Sequence, residues 1–175
     1  MARLTSLAGA VLVLLTALAA GPAAAAQVLW RGLEIGLTPA QVQAARPAAR
    51  PSEGPPLDGF GERLTESGIS AAGHLWDARF YFRDEALTLV ALTPAGTHEG
   101  SRYEAMFEDA VRELGERLGP PFSCAYGDFA GKQECEWRAD GRRVHVLLVT
   151  QLNTPLLEIT YASAAPSLGS PGQAG

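Results

Sequence analysis

The chain has 175 residues, with 14 Lys and Arg against 19 Asp and Glu and a formal net charge of −5. This modest acidic balance, with no basic block, argues against a nucleic-acid surface. The 2 cysteines are too few, at their spacing, for a structural zinc site.

Arg3 is the only charge before Arg31, and it precedes an apolar stretch from Leu7 to Ala20. Gly21-Pro22 then breaks any helix, and Ala24-Ala25-Ala26 supplies a small-residue cleavage site. These are the parts of a secretory signal. The apolar run is shorter than the roughly 20 residues that span a bilayer, and no Cys stands at the cleavage point to carry a lipid. The expected product is periplasmic or secreted, begins at Gln27 and keeps no stable membrane anchor. Residues 1–26 read as signal peptide, 27–162 as a single domain and 163–175, rich in Ala, Ser, Pro and Gly, as a disordered tail.

The mature chain opens with an apolar segment, Val28 to Leu37, punctuated by glycines. Thr38-Pro39-Ala40-Gln41 predicts a helix start with a capping box and Pro in the first turn. Pro47 ends that helix, with Val42 and Ala45 as its expected buried positions. Residues 48–61 hold repeated Pro and Gly and read as a loop. Trp76, Ala78, Phe80 and Phe82 alternate with Asp77, Arg79, Tyr81 and Arg83, the pattern of a strand buried on one face. Asp84-Glu85 is a tight turn, and Ala86 to Thr93 a second strand with Leu87, Leu89 and Ala91 on one side.

Ser101 with Glu104 predicts a capped helix. Its apolar positions are Tyr103, Met106, Phe107, Ala110, Val111, Leu114 and Leu118, and Gly119 with Pro120-Pro121 stops it. Its charged face is expected to be solvated, with Glu108–Arg112 and Glu113–Arg117 as spaced pairs. Two further strands follow, Arg143 to Gln151 and Leu156 to Ala162.

Cys124 and Cys135 flank the turn Gly127 to Lys132 and are equidistant from its centre, between Phe129 and Ala130. On paired antiparallel strands they face each other, within reach of a disulfide. An even cysteine count in an exported chain points the same way. A redox pair would be C-x-x-C at a helix start.

The segment Ile35-Gly36-Leu37-Thr38-Pro39-Ala40-Gln41-Val42, of the form G-apolar-T-x-x-x-V, resembles the start of the small exported SmpA/OmlA-like modules. A doubled helix-then-strands element resembles the β-lactamase-inhibitor-protein-like fold. The resemblance implies a helix-plus-sheet module whose relatives bind other proteins, and it carries no binding residue across. SmpA/OmlA-like proteins are usually lipoproteins, and this chain lacks the lipid-bearing Cys.

Chemical motifs are sparse. His74, His98 and His145 are the only histidines, and there is no G-x-S-x-G, H-E-x-x-H or phosphate-binding glycine loop. His74 and Asp77 face opposite sides of a strand. Asp128, Glu134 and Glu136 read as exposed hairpin charges rather than a glycosidase pair. Trp30, Trp76 and Trp137 read as core. Phe129, at the tip of the stapled hairpin, and neighbouring Tyr126 are the candidate binding residues, as an apolar anchor at a rigid tip.

The expected fold is α+β: two helices on an antiparallel sheet of about six strands, an order also compatible with a tandem helix–three-strand repeat. The expected function is non-enzymatic binding of another envelope protein or component, with no cofactor, no metal and no nucleic acid. The alternative is a small periplasmic hydrolase or ligand-binding enzyme using a histidine with a nearby acid.

Overall fold

The structure, a computed structural model, describes residues 27–57, 59–128, 131–151 and 154–164. The expected signal peptide and most of the expected tail lie outside them. Strand β10 runs through Ser163, and Ala164 N–H bonds to the Gly141 carbonyl at 2.7 Å.

The elements are β1 (Val28–Trp30), β2 (Leu33–Glu34), α1 (Pro39–Ala45), β3 (Arg50–Pro51), β4 (Gly61–Ala71), β5 (His74–Arg83), β6 (Ala86–Pro94), α2 (Gly100–Leu118), β7 (Ser123–Asp128), β8 (Lys132–Ala139), β9 (Arg142–Val149) and β10 (Leu156–Ser163). Strands β3 to β10 form an eight-stranded antiparallel sheet in the order β3-β4-β5-β6-β10-β9-β8-β7, and β1 and β2 form a separate two-stranded sheet. The expectation of about six strands, or of a helix–three-strand repeat, is thereby corrected. Each helix is followed by four strands, and the two meanders join at β6 and β10.

The sequence conceals β4 because its register shifts twice, between Glu62 and Leu64 and between Glu66 and Ile69. Each shift breaks the period of two on which strand recognition depends. Strand β3 is two residues long and carries no pattern at all.

One face of the sheet holds the main core. Trp76, Ala78, Phe80 and Phe82 point into it from β5, Trp137 from β8, Val144, Val146 and Leu148 from β9, and Ile159 and Tyr161 from β10. Leu29, Trp30 and Leu33 close it from the β1–β2 hairpin, Val42 from α1, and Tyr103, Met106, Phe107, Ala110 and Leu114 from α2. All three tryptophans are at most 2 % exposed. Trp76 and Trp137 donate to the carbonyls of Ala71 and Gly119 at 2.9 and 3.0 Å, which satisfies their indole N–H groups inside the core.

Helix α1 forms as its sequence predicts. Gln41 N–H donates to Thr38 Oγ1 at 3.3 Å, and Thr38 N–H donates to Gln41 Oε1 at 2.9 Å. Val42 is fully buried, but Ala45 is exposed and Ala49, beyond the helix, takes the second buried place. Helix α2 starts two residues earlier than a Ser101 cap would set it. Its N-cap is Glu99, with no side-chain cap bond, so Ser101 and Glu104 lie inside the helix rather than capping it. Among the described residues no helix is long and apolar enough to cross a membrane.

Strand β5 buries the expected face through Trp76, Ala78, Phe80 and Phe82, and at Tyr81 it buries the second face as well. Tyr81 is 3 % exposed on the second face, where it packs with Leu89 and Ala91 beneath Leu57 and Phe60. A register shift between Tyr81 and Phe82 turns Leu87 into the main core while Leu89 and Ala91 face the other way. These three residues therefore do not share a side. The loop before β4 acts as a strap over this second cluster. Leu57 and Phe60 bridge each other, and Arg83 stacks on the Phe60 ring at 4.2 Å.

Candidate binding edge and the histidine clusters

Strands β7 and β8 form the hairpin that the cysteine spacing predicts. Cys124 lies directly opposite Cys135 with their Cα atoms 4.1 Å apart and their sulfurs joined in a disulfide. Cys135 is buried against the core, while Cys124 is exposed on the outer strand. Phe129 lies outside the described residues. Tyr126 lies on the strand itself. Its hydroxyl is 3.3 Å from Cys135 Sγ, and its ring meets Phe107 of α2 edge-on at 6.4 Å. Even so anchored, Tyr126 is 62 % exposed, and Phe122, in the bend just before β7, is equally so. Arg138 lies over the Phe122 ring at 3.9 Å.

The sheet's two edges differ. Strand β3 is two residues long and contains Arg50 and Pro51, features that discourage further pairing. From Phe122 to Gly127 the β7 edge has no charge and no Pro, and every residue in it is exposed. Sequence reasoning did not single out Phe122. Its available signal was the uncharged run after Pro120-Pro121.

Both better-placed histidines have acidic partners. His74 Nε2 is 2.9 Å from Asp109 Oδ2 on α2, whereas Asp77 instead accepts from Gly68 N–H at 3.2 Å. Arg112 is the main cause that holds the Asp109 carboxyl below its ordinary range, and His74 adds to it. His145 Nε2 is 3.1 Å from Glu134 Oε2. Lys132, 2.9 Å from the same carboxylate, is the larger cause of its lowered pKa. His98 stacks edge-on against Tyr103 at 5.8 Å.

The helix charges are not merely solvated, as the sequence suggested. Asp109 meets His74, and Glu113 accepts from Ala72 N–H at 2.6 Å while keeping its Arg117 pair at 3.3 Å. Arg112 pairs with Asp109 and Glu116, in place of the expected Glu108.

Ser123, Cys124, Ala125, Glu134, Glu136 and His145 line a cavity of about 170 Å³ on the second face of the sheet. This is below the roughly 300–1,000 Å³ of small-molecule sites. Glu136 stands between Ser123 and His145 in register. The serine is thus two strand spacings, roughly 9–10 Å, from the imidazole's strand, beyond hydrogen-bond reach of a general base. Glu136 itself is paired with Arg138 at 2.5 Å. A second cavity of about 190 Å³ holds His74, His98 and Arg102. Among the described residues no group of three or more His, Cys, Asp or Glu is arranged to hold a metal ion.

No family model and no curated protein matches the sequence. A solved structure, the DUF4309 family protein YjgB from Bacillus subtilis subsp. subtilis, is similar at a TM-score of 0.44 and 15% identity, covering 76% of this chain and 83% of that one. At that distance the likeness carries no argument about fold or function, and it names neither an SmpA/OmlA-like nor a β-lactamase-inhibitor-protein-like module.

Proposed function

We propose that the chain is an exported, non-enzymatic module that binds another envelope protein by taking up an extended segment along β7. The observation that carries this reading is the contrast between the two edges: a blunted β3, and along β7 a run from Phe122 to Gly127 that is uncharged and exposed, with Phe122 and Tyr126 as its large apolar side chains. An unprotected edge offers unpaired N–H and C=O groups to an incoming strand, and neighbouring side chains select among strands. The disulfide makes the edge rigid before binding, which lowers the ordering cost. Export is supported by the N-terminal apolar segment and by the disulfide, which persists in oxidising compartments.

The test places a photo-crosslinking residue at Ser123 and, as a control, at exposed Ser67 of β4, in the full chain expressed in an exporting bacterium. The expected result is a crosslink from position 123 to a contiguous segment of one envelope protein, none from position 67, and a processed N-terminus at Gln27. Equal crosslinking from both positions, or a chain retained in the cytoplasm with residues 1–26 attached, overturns the reading.

A further inference from the structure

We infer that the cavity between the start of β5 and the start of α2 binds a small aliphatic carboxylate. Its anionic head lies among His74, His98 and Arg102, and its apolar tail runs over Leu75. The site shares no residue with β7, so it stands whether or not that edge takes a partner.

The lining supplies the first argument. The cavity, of about 190 Å³, draws its walls from three separate segments. His74 and Leu75 come from β5, Ala95 and His98 from the connection after β6, and Arg102 and Met106 from α2. Two of the chain's 3 histidines and an arginine line it, and among the described residues no acid does. In a chain with 19 acids against 14 Lys and Arg, such a lining is one-sided. Asp109 bonds His74 Nε2 at 2.9 Å from outside the lining, and its charge is matched by Arg112 at 2.7 Å.

The second argument is the state of Arg102. Among the described residues its side chain forms no ion pair and no hydrogen bond. It sits in the first turn of α2, where the helix dipole disfavours a cation. Neither pairing nor helix stability accounts for a guanidinium there. A carboxylate held in its planar fork does.

The third argument is that the walls are already fixed. Ala95 N–H donates to the Leu75 carbonyl at 3.0 Å, which joins two of them. Asp109 holds the His74 ring, and Tyr103 meets the His98 ring edge-on at 5.8 Å. Met106, 1 % exposed, packs into the core behind the opening. A pocket ordered before binding loses little entropy when it is filled.

Size and surroundings select the ligand class. The volume is below the range of drug-sized sites, so the cavity takes an ionic head and little more. Leu75 stands 57 % exposed beside it. An inorganic anion leaves that side chain bare, whereas a short carbon tail leaving the cavity covers it.

The experiment titrates sodium hexanoate into the isotope-labelled protein recovered from full-chain expression, with amide shifts read at constant pH and ionic strength. The expected result is saturable shifts at His74, His98 and Arg102. The dissociation constant should be about 1 mM, as a ligand of so few atoms allows. Hexanamide, which keeps the tail and lacks the charge, should give none. Inorganic phosphate and acetate, which lack the tail, should bind about tenfold more weakly. Arg102→Gln, at an exposed and unpaired position, should keep the circular dichroism of wild type. It should weaken hexanoate about tenfold, the weight of one charge-assisted hydrogen bond. N-acetyl-leucine distinguishes the two sources of such a group: tighter binding than hexanoate assigns the site to a peptide C-terminus, and weaker binding to a free acid. No saturation below about 20 mM overturns the inference, as do equal shifts with hexanamide or phosphate. A folded Arg102→Gln variant that binds hexanoate as wild type does overturns it as well.

Discussion

His74 Nε2 lies 2.9 Å from Asp109 Oδ2, joining the first residue of β5 to the middle of α2. One turn further along the helix, Glu113 accepts the Ala72 N–H at 2.6 Å. Ala72 and Gly73 form the β4–β5 turn at φ 48° and 75°, a left-handed geometry that is costly for alanine. Two acids spaced four apart on one helix face thus clamp a turn that is distant in the chain.

The first prediction concerns the acid side of that clamp. The Asp109 carboxyl sits below its ordinary value of 3.8, through Arg112 first and His74 second. A depressed folded-state pKa contributes stability that is present above the unfolded value and is lost as pH falls through the folded one. Asp109→Asn should therefore lower stability by a constant amount at neutral pH. The gap to wild type should close as pH drops through and below 3.8. Urea denaturation of both proteins across that range reads the difference, and a gap that persists in acid contradicts the assignment.

Breaking the staple should loosen the proposed binding edge before the rest. The chain-entropy model gives roughly 3 kcal/mol for so short a closed loop. Cys124→Ser with Cys135→Ser should cost about that much. Amide exchange should rise first in β7, which is paired only to β8. Reduced and oxidised wild type compared by hydrogen exchange make the measurement, and uniform loss of protection across the sheet counts against it.

Arg46 and Glu66 form a two-pronged pair at 2.8 and 2.6 Å, with the Arg46 guanidinium over the Trp30 ring at 5.4 Å. Glu66 is 7 % exposed, so its removal leaves a half-buried guanidinium without its counter-charge. Glu66→Ala should cost about 2–3 kcal/mol, less than a fully buried pair because Arg46 keeps some contact with water. A thermal or urea midpoint close to wild type would show the pair to be dispensable.

Gly54 sits against the Glu62 carboxylate, whose Oε1 takes the Ser52 hydroxyl and whose Oε2 is buried without a hydrogen bond. A Cβ at position 54 overlaps that carboxylate, and Glu62, 6 % exposed, has little room to yield. Gly54→Ala should lift the strap from Tyr81, Leu89 and Ala91 at a cost of about 1–3 kcal/mol. Limited proteolysis between residues 52 and 60 should quicken, and an unchanged cleavage rate would count against the strap's dependence on this contact.

What the sequence by itself determined was local. The α1 capping box, the Gly119 stop of α2, the Asp84-Glu85 turn at φ 49° and 62°, and the facing of Cys124 and Cys135 all depend on residues close in the chain. Short-range sterics and hydrogen bonds decide these, and they leave readable patterns. The tertiary structure alone decided the rest. Bulges in β4 and at Tyr81 erased the alternation that would have marked that strand and the second buried face, and β3 is too short to carry a pattern. The partners of His74, Asp109 and Glu113 lie 35 or more positions away, where no spacing rule reaches. The same holds for the binding edge. The hairpin was legible, but which of its strands stays unpaired follows only from the strand order of the whole sheet.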